Sequence, residues 1–209
     1  MCYNVQNKAS LQAMVERFNA GFNLPQLYQP RQEVNAFAGI ELPIITNEDP
    51  NVFHFGHWGL LPSWAKDVSF DKNTKNARLE TLGEKPSFRD YQEKRCLIPA
   101  TAFYEWKWHD TKGKVKEKFL ITPKNIPVFA FAGLYNKWID PNSGKELLSF
   151  TLITKAAEGI MQDIHNTKQR MPVVLYPNSE KDWLFDGDID YTNDFTAKSL
   201  TPINLKFDF

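Results

Sequence analysis

A cysteine stands at position two, in the opening stretch MCYN. A thiol beside a chain end packs little and oxidises easily, so the position predicts an exposed, vulnerable group. Loss of Met1 would give it a use, and initiator methionine is commonly removed ahead of a small residue. An α-amine (pKa about 7.7–8.0) and a thiol (about 8.5) would then sit on adjacent carbons. Such a 1,2-aminothiol condenses with an aldehyde in two steps. The amine forms a Schiff base, and the thiol closes it to a five-membered thiazolidine. No internal cysteine can do this. On this residue alone, an incidental cysteine in a frayed terminus stays open as the alternative.

Three further places carry reactive or binding groups. NTKNARLET holds Asn76, Arg78 and Glu80. Asparagine offers a donor and an acceptor in one planar group, and arginine a fork that fits phosphate oxygens; a polar loop with a surface ion pair is the plainer alternative. Glu105 lies within the aromatic run FYEWKW. Burial there would raise its pKa towards neutrality and suit it to proton transfer, unless it is simply a partnered core carboxylate. His165 ends a helical run and precedes NTKQRMP. It can act as acid–base or cap the last carbonyls. Trp64, in LLPSWAKD, can stack on a base or anchor its loop. His54 and His57 would face opposite sides of a strand, and with two cysteines in the chain no zinc site is expected. No phosphate-cradling glycine motif and no Gly-x-Ser-x-Gly elbow occurs.

The elements that must position these groups are mostly strands. Ser10 caps a helix whose stripe is Leu11, Met14, Val15 and Phe18, with Gly21 suited to its end. Pro25, Pro30, Pro43 and Pro50 exclude a long helix from the connector behind it. Residues 52–58 alternate as a strand, and 59–79 read as a long polar loop. In the strand FYEWKW, Phe103, Glu105 and Lys107 share one face, and Tyr104, Trp106 and Trp108 the other. HDTKGK turns the chain into KFLIT. PVFAFAGLY and LLSFTLIT are further strands, AAEGIMQDIH is a short helix, RMPVVLY a strand and SEKDWL a last helix. The sum is α+β: a single domain over 1–209 with a twisted antiparallel, barrel-like β core and peripheral short helices.

The 209 residues allow a sizeable core without staples. Lys+Arg 25 against Asp+Glu 25 excludes a protein that coats nucleic acid by bulk charge, though not one with a local phosphate site. No apolar run reaches membrane-spanning length and no secretory signal opens the chain. Cys2 and Cys96 therefore read as cytosolic thiols, and a cytoplasmic protein is expected.

MC at the start, WGLLPSWAKD, NARLET, AFYEW and H…RMPVVL, in this order and spacing, resemble the SRAP (SOS-response-associated peptidase) family. Its members crosslink to abasic sites in single-stranded DNA. The resemblance runs from Cys2 to about Leu175. It implies that Met1 is lost and that Cys2 forms a thiazolidine with the ring-opened abasic sugar. It implies that Asn76 orients the sugar or the terminal cysteine, that Glu105 shuttles protons and helps expose Cys2, and that His165 assists ring opening. Arg78 and Arg170 would hold phosphates and Trp64 would stack at the DNA junction. Single-stranded DNA is the implied partner of a monomer that needs no cofactor and no metal.

Three departures from the family pattern bear on the DNA contacts. Asn4 stands where many members are basic, and Pro86 where many have arginine, leaving Lys85 as a substitute. Three extra residues separate His165 from Arg170, which makes Lys168 a rival phosphate contact. Two other classes compete: an N-terminal-cysteine hydrolase or amidotransferase, built as a layered sandwich, and a non-covalent single-strand binding module.

Overall fold

The structure is a computed structural model and describes residues 2–201. Met1, whose removal the sequence reading expects, and residues 202–209 lie outside the described residues. The helix expected behind Ser10 is α1 (Leu11–Phe18), and the Ser10 hydroxyl accepts from the Ala13 amide. It ends earlier than Gly21 suggested: Asn19 takes the left-handed conformation at φ 49°. Gly21 instead opens a strand.

In chain order the strands are β1 (Asn4–Asn7), β2 (Gly21–Phe22), β3 (Arg31–Asn35), β4 (Glu41–Thr46), β5 (Val52–Trp58), β6 (Asn76–Arg78), β7 (Arg95–Ala100) and β8 (Ala102–Trp108). Then come β9 (Lys116–Pro123), β10 (Phe129–Ile139), β11 (Glu146–Ala156), β12 (Arg170–Pro172), β13 (Val174–Leu175), β14 (Tyr191–Thr192) and β15 (Phe195–Ser199). Two more short helices, α2 (Ile160–Ile164) and α3 (Glu180–Phe185), lie where AAEGIMQDIH and SEKDWL put them. RMPVVLY is not one strand but two, because its segments pair with different partners: β12 with β11, and β13 with β10.

A ring of strands closes the core. β11 pairs with β5, β5 with β4, β4 with β7, β7 with β10, and β10 back with β11. Closure removes the sheet edges that would otherwise invite aggregation. Ile44, Trp58, Cys96, Ile98, Phe131, Phe150 and Leu152 pack into one buried cluster. The neighbouring residues Ile45, Phe53, Leu97, Ala132, Leu134 and Ile153 pack into a second, so both faces of the ring are covered. That is why β4, β7 and β10 are near-continuous buried runs, while β5 keeps its alternation. A second sheet runs β15-β9-β8-β1-β3, antiparallel throughout. The antiparallel expectation needs one correction: β5 and β6 each run parallel to β11, and β2 parallel to β5.

Inside the ring the backbones crowd at Gly133. A Cβ there would stand 2.6 Å from Ile98 Cδ1, 2.8 Å from the Thr151 carbonyl and 2.9 Å from Cys96 Sγ. Gly133→Ala should therefore destabilise by about 2 kcal/mol through overpacking, read as a lowered midpoint in thermal or urea unfolding.

Candidate functional site

β1 is an interior strand of its sheet. Asn4 and Val5 pair with Tyr104 and Phe103 on one side and with Asn35 and Val34 on the other. Held on both edges, the strand cannot fray, and Cys2 just ahead of it is fully buried. It packs in the cluster that holds Val5, Phe103, Met161, Ile164 and Met171. This corrects the expectation of an exposed thiol. Burial, reinforced by the nearby Glu105 carboxylate, pushes the Cys2 thiol well above its usual range. Both cysteines are free and buried.

Alternation along β8 sets Glu105 on the face of Phe103, which is fully buried, so the carboxyl goes in too, with 4% of its surface exposed. Burial holds its pKa up, at about 7. His165 caps the C-terminal end of α2, and its Nε2 stands 3.9 Å from Glu105 Oε2. Its Nδ1 faces both backbone groups of Arg170, 3.0 Å from the amide nitrogen and 2.9 Å from the carbonyl oxygen, which turns Nε2 towards Glu105. Burial pushes His165 down to about 4. Between about pH 4 and pH 7, then, both members of the pair are neutral, and above that range Glu105 alone is charged. A groove of about 390 Å³ opens onto them, lined by Tyr3, Asn4, Glu105, Trp106, Trp108, Lys116, His165, Thr167 and Lys168.

Residues 59–79 hold more structure than a loop. β6 runs beside β11, with Asn76, Ala77 and Arg78 opposite Leu152, Ile153 and Thr154. Ala77 faces the core, so Asn76 and Arg78 share the opposite side. The approach to Asn76 is latched twice: Trp58 Nε1 donates to the Lys75 carbonyl at 2.8 Å, and Lys75 Nζ to the Trp58 carbonyl at 2.5 Å. Asp71 accepts from Lys75 Nζ and from His57 Nε2, both at 2.6 Å. The Asn76 amide lies close enough to the Tyr3 hydroxyl to offset part of the rise that burial imposes on it. Neither Asn76 polar atom completes a hydrogen bond of ordinary geometry among the described residues, although both are buried. Tyr3 also feels the charges of Glu105 and Cys2, so its half-buried hydroxyl joins Asn76 to the cysteine and carboxylate.

The groups expected at DNA are dispersed. Asn4 is buried in the groove wall and its Oδ1 accepts from Asn35 at 2.9 Å. Lys168 is exposed at the groove. Arg78 and Lys85 are exposed outside its lining, and Trp64 is half-exposed with its ring edge-on to Phe70 at 4.9 Å. Arg170 is turned inward. Its two guanidinium nitrogens each meet a Glu80 oxygen at 2.8 Å, and one also meets the Thr154 carbonyl at 2.7 Å. A guanidinium so buried and forked on a carboxylate is a brace between β12 and the turn that follows β6, not a free phosphate hook. Sequence reading missed Tyr3, Trp106, Trp108 and Lys116. Tyr3 adjoins Cys2 and Trp106 adjoins Glu105, and those neighbourhoods were the available signal.

The model of the family described as SOS response associated peptidase (SRAP) matches residues 1–206. The chain belongs to the SRAP family. It is 42% identical over 204 residues to the abasic site processing protein YoqW of Bacillus subtilis, covering 97% of this chain and 87% of that one. The abasic site processing protein HMCES of Xenopus tropicalis is 30% identical over 152 residues, 63% of this chain and 44% of that one. A crystal structure of a protein from Bacteroides thetaiotaomicron superposes with TM-score 0.86 at 30% identity, over 96% of this chain and 92% of that one. Among the described residues no helix is long and apolar enough to cross a membrane.

The raised Glu105 pKa has a stability consequence. From about pH 4.5 to 7 the unfolded chain releases this proton while the folded one keeps it, so this residue's contribution falls as pH rises through that window. Glu105→Gln should therefore unfold at a higher temperature than the parent at pH 8, by roughly 3 kcal/mol of added stability. The difference should shrink at pH 4.5, as calorimetry at the two pH values would show.

Proposed function

We propose that this protein processes abasic sites by capturing them covalently in single-stranded DNA. The observation that carries the proposal is the buried pair Glu105–His165, 3.9 Å apart, beside a buried Cys2 and open to one groove. The relatives named abasic site processing proteins support it.

The steps balance as a condensation. Hydrolytic loss of Met1 frees the Cys2 amine. That amine attacks the aldehyde carbon of the ring-opened sugar and forms a carbinolamine. The carbinolamine loses one water to give the imine. The Cys2 sulfur then adds to the imine carbon while its proton passes to nitrogen, closing the thiazolidine. Glu105, with a pKa of about 7, is suited to both halves of this traffic: as carboxylate it takes a proton from the nucleophile, and as acid it returns one to the departing water. His165, neutral above about pH 4 and with Nε2 towards Glu105, is suited to assist ring opening at the sugar oxygen. Asn76, its buried amide beside the Tyr3 hydroxyl, is suited to orient the open sugar. Arg78, Lys168 and Lys85 are exposed cations for phosphates, Trp64 an exposed ring for stacking, and Asn4 a neutral group in the groove wall. Arg170 acts through Glu80 by bracing β6, which carries Asn76 and Arg78. Every one of these groups comes from one chain, so a monomer suffices.

An N-terminal-cysteine hydrolase would be a layered sandwich, whereas the core here is a closed ring of strands. A purely non-covalent module would leave the buried Glu105–His165 pair without a use.

Incubation with an abasic single strand should add the strand's mass less one water to the protein that lacks Met1, and Cys2→Ala should give no adduct by intact mass. An alanine variant that still crosslinks would overturn the mechanism. The crosslinking rate should rise with pH through about 7 as Glu105 ionises. Glu105→Gln should lose that limb and slow capture by about 10²-fold or more, measured by quenched time courses between pH 5.5 and 8.5.

A further inference from the structure

The extra residues between His165 and Arg170 are not a slack loop. Asn166 pairs with the end of β8 as another strand would: its Nδ2 donates to the Trp108 carbonyl at 2.8 Å, and its Oδ1 accepts the Trp108 amide at 3.1 Å. One side chain thus satisfies both backbone groups of Trp108. The next two residues, Thr167 and Lys168, line the groove. The same tryptophan organises the hairpin beyond β8. Gly113 takes φ +65° and lies so close over the ring that a Cβ there would stand 2.5 Å from Trp108 Cζ3. Lys116, opposite Trp108 in the β8–β9 pairing, places its ammonium 4.5 Å from the ring centroid and also lines the groove. Connector and hairpin therefore share one anchor, and two lysines, Lys168 and Lys116, face the groove from it.

We propose that Asn166 is a positioning residue for DNA binding: it latches the connector to β8 so that Lys168, with Lys116, meets the backbone phosphate of a single strand lying in the groove. The proposal rests on the reading of the groove as a DNA site. It gives this chain, whose Arg170 is taken up by Glu80 and whose position 4 is the neutral Asn4, its own cationic wall. Exposed lysines without such a latch would contribute little, because a flexible side chain loses its rotamer freedom on contact.

The test uses the full chain and a short single strand carrying a tetrahydrofuran abasic analogue, which has no aldehyde and binds reversibly. Dissociation constants are measured from 50 to 200 mM salt. Lys168→Ala removes one phosphate contact, so the slope of log affinity against log salt should become shallower by about 0.7. Asn166→Ala removes no charge, yet it should flatten the slope by a similar amount and weaken binding about three- to tenfold at 50 mM salt. The double variant should be no weaker than Lys168→Ala, since the asparagine acts through the lysine. A wild-type slope in Asn166→Ala, or additive losses in the double variant, would overturn the proposal. Covalent capture is scored separately on the natural abasic strand with the wild-type protein. Failure there with the slope changes intact would sink the thiazolidine chemistry and leave the wall standing; the reverse result would sink the wall alone.

Discussion

Phe103 has to be buried, and on a β-strand whatever stands two residues later goes in with it. Glu105 is that residue. Its carboxyl is carried into the protein by the hydrophobic demand of its neighbour, and the loss of water raises its pKa to the range where it can both give and take protons. Much else follows from this placement. A second buried group, His165, stands beside it, and burial above all holds that imidazole neutral down to about pH 4, against the Arg170 backbone contact, which favours its charged form. Cys2 shares the same apolar cluster and is held as a thiol by the same lack of water.

The fold brings together groups far apart in the chain by using strand pairing as a ruler. β1 lies between β3 and β8, so the register that pairs Asn4 with Tyr104 also sets Cys2 near Glu105. The closed ring supplies the other wall. β6 brings Asn76 beside Tyr3 only because it runs beside β11, and the Trp58–Lys75 exchange of hydrogen bonds sets where that strand begins. The Arg170–Glu80 fork ties the far side of β6 to β12. Removing Glu80 would strand the buried Arg170 charge, which is why such braces cost more to break than they add.

Much of this was legible in the sequence, and the reasons are particular. Ser10 capping, the 52–58 alternation and the faces of FYEWKW are local patterns, and local patterns survive folding here. The motifs of the SRAP family pointed to Cys2, Asn76, Glu105 and His165, and the structure brings the last three and the cysteine's neighbour Tyr3 into contact or electrostatic reach of one another or of Cys2. What was not legible depended on long-range pairing. Nothing in TKNARL announces a strand, because β6 is three residues long and its partner lies more than seventy residues away. The burial of Cys2 is invisible in MCYN, since it comes from two strands that the terminus does not contain. Arg170 reads as a free cation until Glu80 is seen against it.

Two free thiols lie buried in different parts of the molecule: Cys2 just ahead of β1, an interior strand of the five-stranded sheet, and Cys96 within the ring on β7. Each can meet a labelling reagent only when its own neighbourhood opens. The molecule therefore carries a built-in pair of timers. The ratio of their labelling rates in native conditions reports whether the sheet that seats Cys2 breathes independently of the ring that supports it, or whether the two open as one cooperative unit.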